Sequence, residues 1–220
     1  VPSAAAPFRP EPEIMSDTPP PAWMQALQPY AERTDFRVPL KVPIHMPSGR
    51  MIGDVAGVYL RLPRWEGPAF ADDFGKKAAG MVELEGEHTF AEIAVLRMLE
   101  REGWSGRWVN TYSAKGEVWK YLTRWDDVPR AEQRNRVIED EDPRVVLAGV
   151  ARRAKKRYAG CWDVFAWRGD DFAFLQTRRG APTAKAELGP AQAEWLHTAL
   201  LFGDTRITLA SFAVVHWDYR

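Results

Sequence analysis

The residues best placed to do chemistry lie in 161–179, CWDVFAWRGDDFAFLQTRR. Gly169-Asp170 has the composition of a two-residue β-hairpin loop, with glycine first as a type II′ turn requires. Arg168 then pairs with Asp171. Counting back along both strands sets Asp163 opposite Gln176, with Cβ atoms about 5 Å apart on one face. Side chains alternate along a strand, so the same face carries Phe165, Trp167, Phe172 and Phe174, with Arg178 beyond Gln176. An acid, an amide and a guanidinium at the open end of an aromatic face allow two outcomes. They can hold a divalent cation through oxygen ligands while the arginine faces the phosphate of a phosphodiester. Alternatively, Asp163 and Arg178 form a diagonal ion pair bridged by Gln176, and the arrangement is purely structural.

Two helices bear on that choice. In TFAEIAVLRML, Glu92 shares a helical face with Val95, Leu96 and Leu99, so its carboxylate is carried on the inward stripe. Thr89-Phe90-Ala91-Glu92 also has the form of a capping box, in which Glu92 bonds back to the Thr89 amide. In GPAQAEWLHTALLFG, Gln192 precedes Trp195 and Leu196 by one turn on the apolar side. A third feature is ARRAKKRY, 151–158, where Arg152, Arg153, Lys155, Lys156 and Arg157 cluster. Such a cluster suits phosphate recognition. It equally suits the C-terminal end of a helix whose start carries Glu139, Asp140, Glu141 and Asp142.

These groups are positioned by a recognisable series of elements. The spacing predicts a helix from Thr89 to about Glu102 and strands RWVNTY and EVWKYLT. A helix opened by Asp142-Pro143 follows, with Asp142 as N-cap, running to about Tyr158. The hairpin strands WDVFAWR and DFAFLQTR come next, then a helix that starts at Pro190 and stops before Gly203, and a last strand, SFAVVHWDY. That order describes an α/β protein with a mixed central sheet flanked by helices. Proline divides the chain: 13 of its 17 prolines fall at or before Pro68. We therefore expect an extended or disordered Pro-rich arm over 1–22 and an appendage over 23–87. The appendage holds a short helix (Trp23 to Tyr30) and two Pro-broken strands around the turn Pro47-Ser48-Gly49-Arg50. The α/β domain follows over 88–220.

Taken together, the helix with Glu92, Asp163 in GCWDVF, the strand FLQTR and the helix GPAQAEWL resemble the restriction-endonuclease-like superfamily, PD-(D/E)XK. The likeness is nearest to its virus-type replication-repair (VRR) nuclease domains and covers roughly 88–217. The resemblance implies that Glu92, Asp163 and Gln176 hold Mg²⁺ or Mn²⁺. It implies that Arg178 stands where a lysine supports the attacking water and phosphate, and that Gln192 lies beside the site. It further implies DNA or RNA as partner and phosphodiester hydrolysis as activity. The chain departs from the pattern twice: acidic-x-lysine has become Gln176-Thr177-Arg178, and Trp162 stands where proline precedes the aspartate. Arginine keeps the positive charge but cannot act as a base. The lost carboxylate removes one negative charge, worth on the order of 4 kcal/mol at 4 Å and an effective dielectric near 20. A catalytically impaired module on the same fold, binding nucleic acid or a protein partner, is the alternative expectation. Lys185 is a weaker substitute for the missing lysine. A protein-interaction domain using the N-terminal region is the third reading.

Other groups carry less. Glu83, Glu85, Glu87 and His88 alternate as an exposed strand would, and His45, His197 and His216 lack zinc spacing. Trp104, Trp108, Trp119 and Trp125 could offer stacking surfaces for bases. Thirty basic residues balance thirty acidic ones, so nucleic-acid affinity has to come from a local patch. The single cysteine, Cys161, excludes an intramolecular disulfide framework and points to a reducing, cytoplasmic setting. No apolar run reaches the 18 or so residues of a membrane span, and the opening VPSAAAPFRP has no secretory apolar stretch.

Overall fold

The computed structural model describes residues 20–31, 40–75, 80–111, 116–155, 157–180 and 188–220. The first 19 residues of the expected arm lie outside them, as do Lys156 and Lys185. The chain opens with α1 (Ala22–Leu27), β1 (Leu40–His45), β2 (Met51–Leu62), β3 (Met81–Leu84), β4 (Glu87–Phe90) and α2 (Ala91–Arg101). It continues with β5 (Ser105–Asn110), β6 (Lys120–Leu122), α3 (Glu141–Arg153), β7 (Val164–Arg168), β8 (Asp171–Arg179), α4 (Pro190–Phe202) and β9 (Phe212–Tyr219).

Seven strands form one mixed sheet in the order β1-β2-β9-β8-β7-β5-β6, with β9 parallel to both β2 and β8 and the other pairs antiparallel. The centre of this sheet is buried on both faces, which is why β7, β8 and β9 read as nearly continuous apolar runs. One face carries Val164, Ala166, Ala173, Leu175, Ala213 and Val215 and is covered by α1 and α2. The other carries Phe165, Trp167, Phe172, Phe174, Phe212 and Val214 and is covered by α3 and α4. The segment 23–87 enters this architecture directly. Its two long strands extend the sheet beyond β9, and Trp23, Met24 and Leu27 of α1 share a core cluster with α2.

The hairpin register is as expected from its loop. Val164 pairs with Leu175 and Arg168 with Asp171, and Gly169 adopts φ +56°, a region that glycine enters without a Cβ penalty. α2 lies close over β5, because a Cβ on Gly106 would stand 2.6 Å from Leu96 Cδ1. Since α2 ends at Arg101, just before β5 begins at Ser105, the helix runs back along that strand. Its first turn, with Glu92, therefore lies over the Asn110 end of β5, where the Val109 N–H donates to the Asp163 carbonyl.

Several local expectations are corrected. Thr89 belongs to β4, paired with Val82, and α2 starts at Ala91 with no side-chain cap, so the Thr89–Glu92 capping box is not formed. α3 begins at Glu141 rather than at an Asp142 N-cap, because the Asp142 carboxylate accepts from Arg206 instead. The same helix ends at Arg153, and Arg157–Gly160 forms a separate 3₁₀ turn. Trp104, Trp108 and Trp125 are buried and unavailable for stacking on bases, Trp108 and Trp125 within an aromatic cluster with Phe70 and Phe90. Trp119 is half-buried against that cluster.

Candidate functional site

Asp163 stands at the mouth of the hairpin, just before β7. Its Oδ2 accepts from Gln176 Nε2 at 2.5 Å, from the Thr177 amide at 3.0 Å and from Thr177 Oγ1 at 2.8 Å. Gln176 points to the α4 side of the sheet and Thr177, one residue on, to the α2 side. One carboxylate oxygen thus ties together groups from both faces. Beyond it, Gln176 Oε1 accepts from Gln192 Nε2 at 2.9 Å, and Gln192 Oε1 accepts from the Gly189 amide at 2.8 Å.

The two ends of this chain settle the orientation of both amides. A backbone N–H can only donate and a carboxylate can only accept. Gly189 therefore requires the oxygen of Gln192, which leaves the Gln192 NH₂ for the Gln176 oxygen. The Gln176 NH₂ is then directed at Asp163. Donors run one way, Gly189 to Gln192 to Gln176 to Asp163, so the neutral dipoles of both amides point at the acid. In such a half-buried setting, hydrogen bonds to a charged group are worth about 1.5–3 kcal/mol each.

The fold thus brings Asp163, Gln176 and Gln192 together. Glu92 sits at the same end of the sheet, but on a helix covering the face opposite Gln176. Arg178 lies on the Gln176 face, in register with His216 of β9, and its Nε is buried without a hydrogen-bond partner among the described residues. Burial first, and the Arg178 charge second, hold the His216 imidazole below its ordinary pKa, while a hydrogen bond to the Gly180 backbone opposes them. Thr177 was not foreseen. Strand alternation assigns it to the other face, and only the end-on position of Asp163 lets one oxygen reach both. Cys161 is buried, and burial together with the nearby Asp163 charge pushes its thiol up, so it is held protonated and is no nucleophile.

A cavity of about 300 Å³ opens beside these groups, lined in part by Asp163, Gln192, Asn110, Cys161 and Trp108. Among the described residues, two of the expected metal ligands are already engaged by hydrogen bonds, which a divalent ion would have to displace. Asp163 Oδ2 already accepts three hydrogen bonds, and the oxygen of Gln176 is directed at Gln192. Among the described residues, no three His, Cys, Asp or Glu side chains group as a metal site would need.

The basic segment leads into the turn that reaches this cavity. Ala159 of the 3₁₀ turn lines it, and Arg152, Arg153, Lys155 and Arg157 are exposed just before. Arg157 also pairs with Glu117, and Arg153 Nη1 donates to the Gly149 carbonyl within α3. The alternating acids of β3 and β4 serve structure: Glu85 pairs with Arg101, Glu87 with Arg97, and His88 stacks on Trp65. No helix among the described residues is long and apolar enough to cross a membrane. Comparison of the chain with protein-family models, with curated proteins and with solved structures gives no match.

Proposed function

We propose that this chain is a nuclease-like α/β module that binds DNA or RNA, with its catalytic position closed by the amide chain ending on Asp163. The observation that carries this reading is the saturation of Asp163 Oδ2 by Gln176 and Thr177, together with the capture of the Gln176 oxygen by Gln192. The order of α2, β5, the β7–β8 hairpin, α4 and a final strand supports the resemblance to restriction-endonuclease-like domains. The exposed cations Arg152, Arg153, Lys155 and Arg157 precede Ala159, which lines the Asp163 cavity, and supply a surface for phosphates. If Arg152, Arg153, Lys155 and Arg157 each neutralise one phosphate, log K for a single strand falls with log salt at a slope of about −3.

The test measures binding of a labelled oligonucleotide and its cleavage in Mn²⁺. Salt-sensitive binding is expected that survives Asp163→Asn and weakens at least tenfold in Arg152→Glu/Lys155→Glu. No binding at low salt would refute the module. A second reading, Mg²⁺- or Mn²⁺-dependent hydrolysis, is favoured by the cavity at Asp163 and by the placement of Glu92 at the same end of the sheet. Cleavage by the wild type that disappears in Asp163→Asn selects it.

A further inference from the structure

A second cavity, of about 230 Å³, lies between α4, the 157–160 turn and the foot of the β1–β2 hairpin. Its lining is chemically divided. Arg153, Lys155 and Arg157 bring positive charge from the end of α3 and the turn after it. Met46 and Phe202 supply apolar wall, and Phe202 is 56% exposed although its ring borders the cavity. Glu194 adds a carboxylate, and Trp195, also in the lining, has its indole N–H buried without an acceptor among the described residues. Arg50, from the hairpin turn, lies 2.9 Å from His197 Nε2 and donates to it, which ties that turn to α4 along the cavity.

We infer that this cavity binds a nucleotide, with the phosphate among Arg153 and Lys155 and the base against Phe202. The cations attract the phosphate, but a bare anion also meets the repulsion of Glu194. A ligand whose phosphate is joined to a sugar turns that carboxylate to advantage, because a hydroxyl donates to it. Phe202 is largely exposed at the cavity's edge, where a base can stack on its ring. The nucleotide can be free or can be one unit of a polynucleotide strand. Asp163 lines a different cavity, which shares no lining residue with this one.

Titration calorimetry at low salt, with AMP, inorganic phosphate and a short oligothymidylate as probes, tests the assignment. AMP or the oligonucleotide is expected to bind at least tenfold more tightly than inorganic phosphate. Phe202→Ser should weaken that binding fivefold or more and leave inorganic phosphate unchanged, whereas Arg153→Glu should weaken all probes that bind. Both side chains are exposed, so the variants should keep the fold, and circular dichroism checks that they do. Binding of AMP identifies a free nucleotide as sufficient; binding of the oligonucleotide alone identifies a unit of a strand. Oligonucleotide binding indifferent to Phe202→Ser would overturn the cavity and leave the module intact, while AMP binding without any nucleic-acid binding would do the reverse. If neither AMP nor the oligonucleotide binds, the assignment is wrong.

Discussion

Gln192 Nε2 donates to Gln176 Oε1 at 2.9 Å, so an amide–amide bond pins the first turn of α4 to β8. That bond continues, through Gln176, to the carboxylate of Asp163 at the start of β7. Two strands and a helix start are therefore joined by side chains whose polarity runs in one direction, and reversing any member leaves its neighbours facing like groups.

Restoring the acid that the resemblance expects should damage the protein. Gln176→Glu places a carboxylate where Gln176 Nε2 now lies 2.5 Å from Asp163 Oδ2. Two carboxylates at such a distance cannot both stay ionised without large cost, and they favour sharing a proton. We expect a loss of about 2–4 kcal/mol at pH 7, partly recovered near pH 5. Urea denaturation at both pH values measures it, and a variant as stable as wild type at pH 7 would contradict the directed chain.

Acid should loosen the corner held by Arg206. Its guanidinium donates to Asp142 of α3, Asp170 of the hairpin loop and Asp204 after α4, while lying over Phe172. Hydrogen bonds from Arg206 hold the Asp204 carboxyl down to about 2 and also lower that of Asp142. Groups depressed in the folded state contribute fully above the unfolded value, near 4, and lose their contribution as pH falls toward 2. Stability of wild type and Arg206→Met, followed by thermal melts from pH 6 to pH 2, should differ most above pH 4 and converge below it. A constant difference across that range would show that Arg206 acts only by packing.

A second pH effect appears at a higher range. His216 is 3% exposed and its imidazole is held below the ordinary value by burial and by Arg178. The unfolded chain takes up a proton near pH 6.5 that the folded one resists, so the stability linked to His216 is full above that pH and declines as pH falls through the lowered folded value. Arg178→Gln should raise the titration midpoint of His216 in NMR spectra and flatten this decline. An unchanged midpoint would mean that the charge of Arg178 does not reach the ring.

Much of the hairpin was legible in the chain because its cause is local. Gly169 needs a positive φ, a two-residue loop has few geometries, and alternation then sets Asp163 against Gln176 without knowledge of anything else. The order of helices and strands from Ala91 onward followed from periodicity in the same way. Nothing local revealed that β2 runs parallel to β9 and so draws 40–62 into the main sheet, since a parallel pair is set by packing between distant segments. Thr89 shows the same limit. Its spacing to Glu92 suits a cap, yet pairing with Val82 claims it for β4.

Turn chemistry and strand alternation are short-range constraints, and they determined that an acid and an amide face each other at one end of a sheet. Which hydrogen bonds that pair makes was decided by the tertiary structure. It brings the start of α4 down onto β8, and the fixed polarity of the Gly189 amide then propagates through Gln192 and Gln176 to Asp163. A buried hydrogen-bond chain has its sense imposed at its ends, and here those ends lie 26 residues apart in sequence, at Asp163 and Gly189.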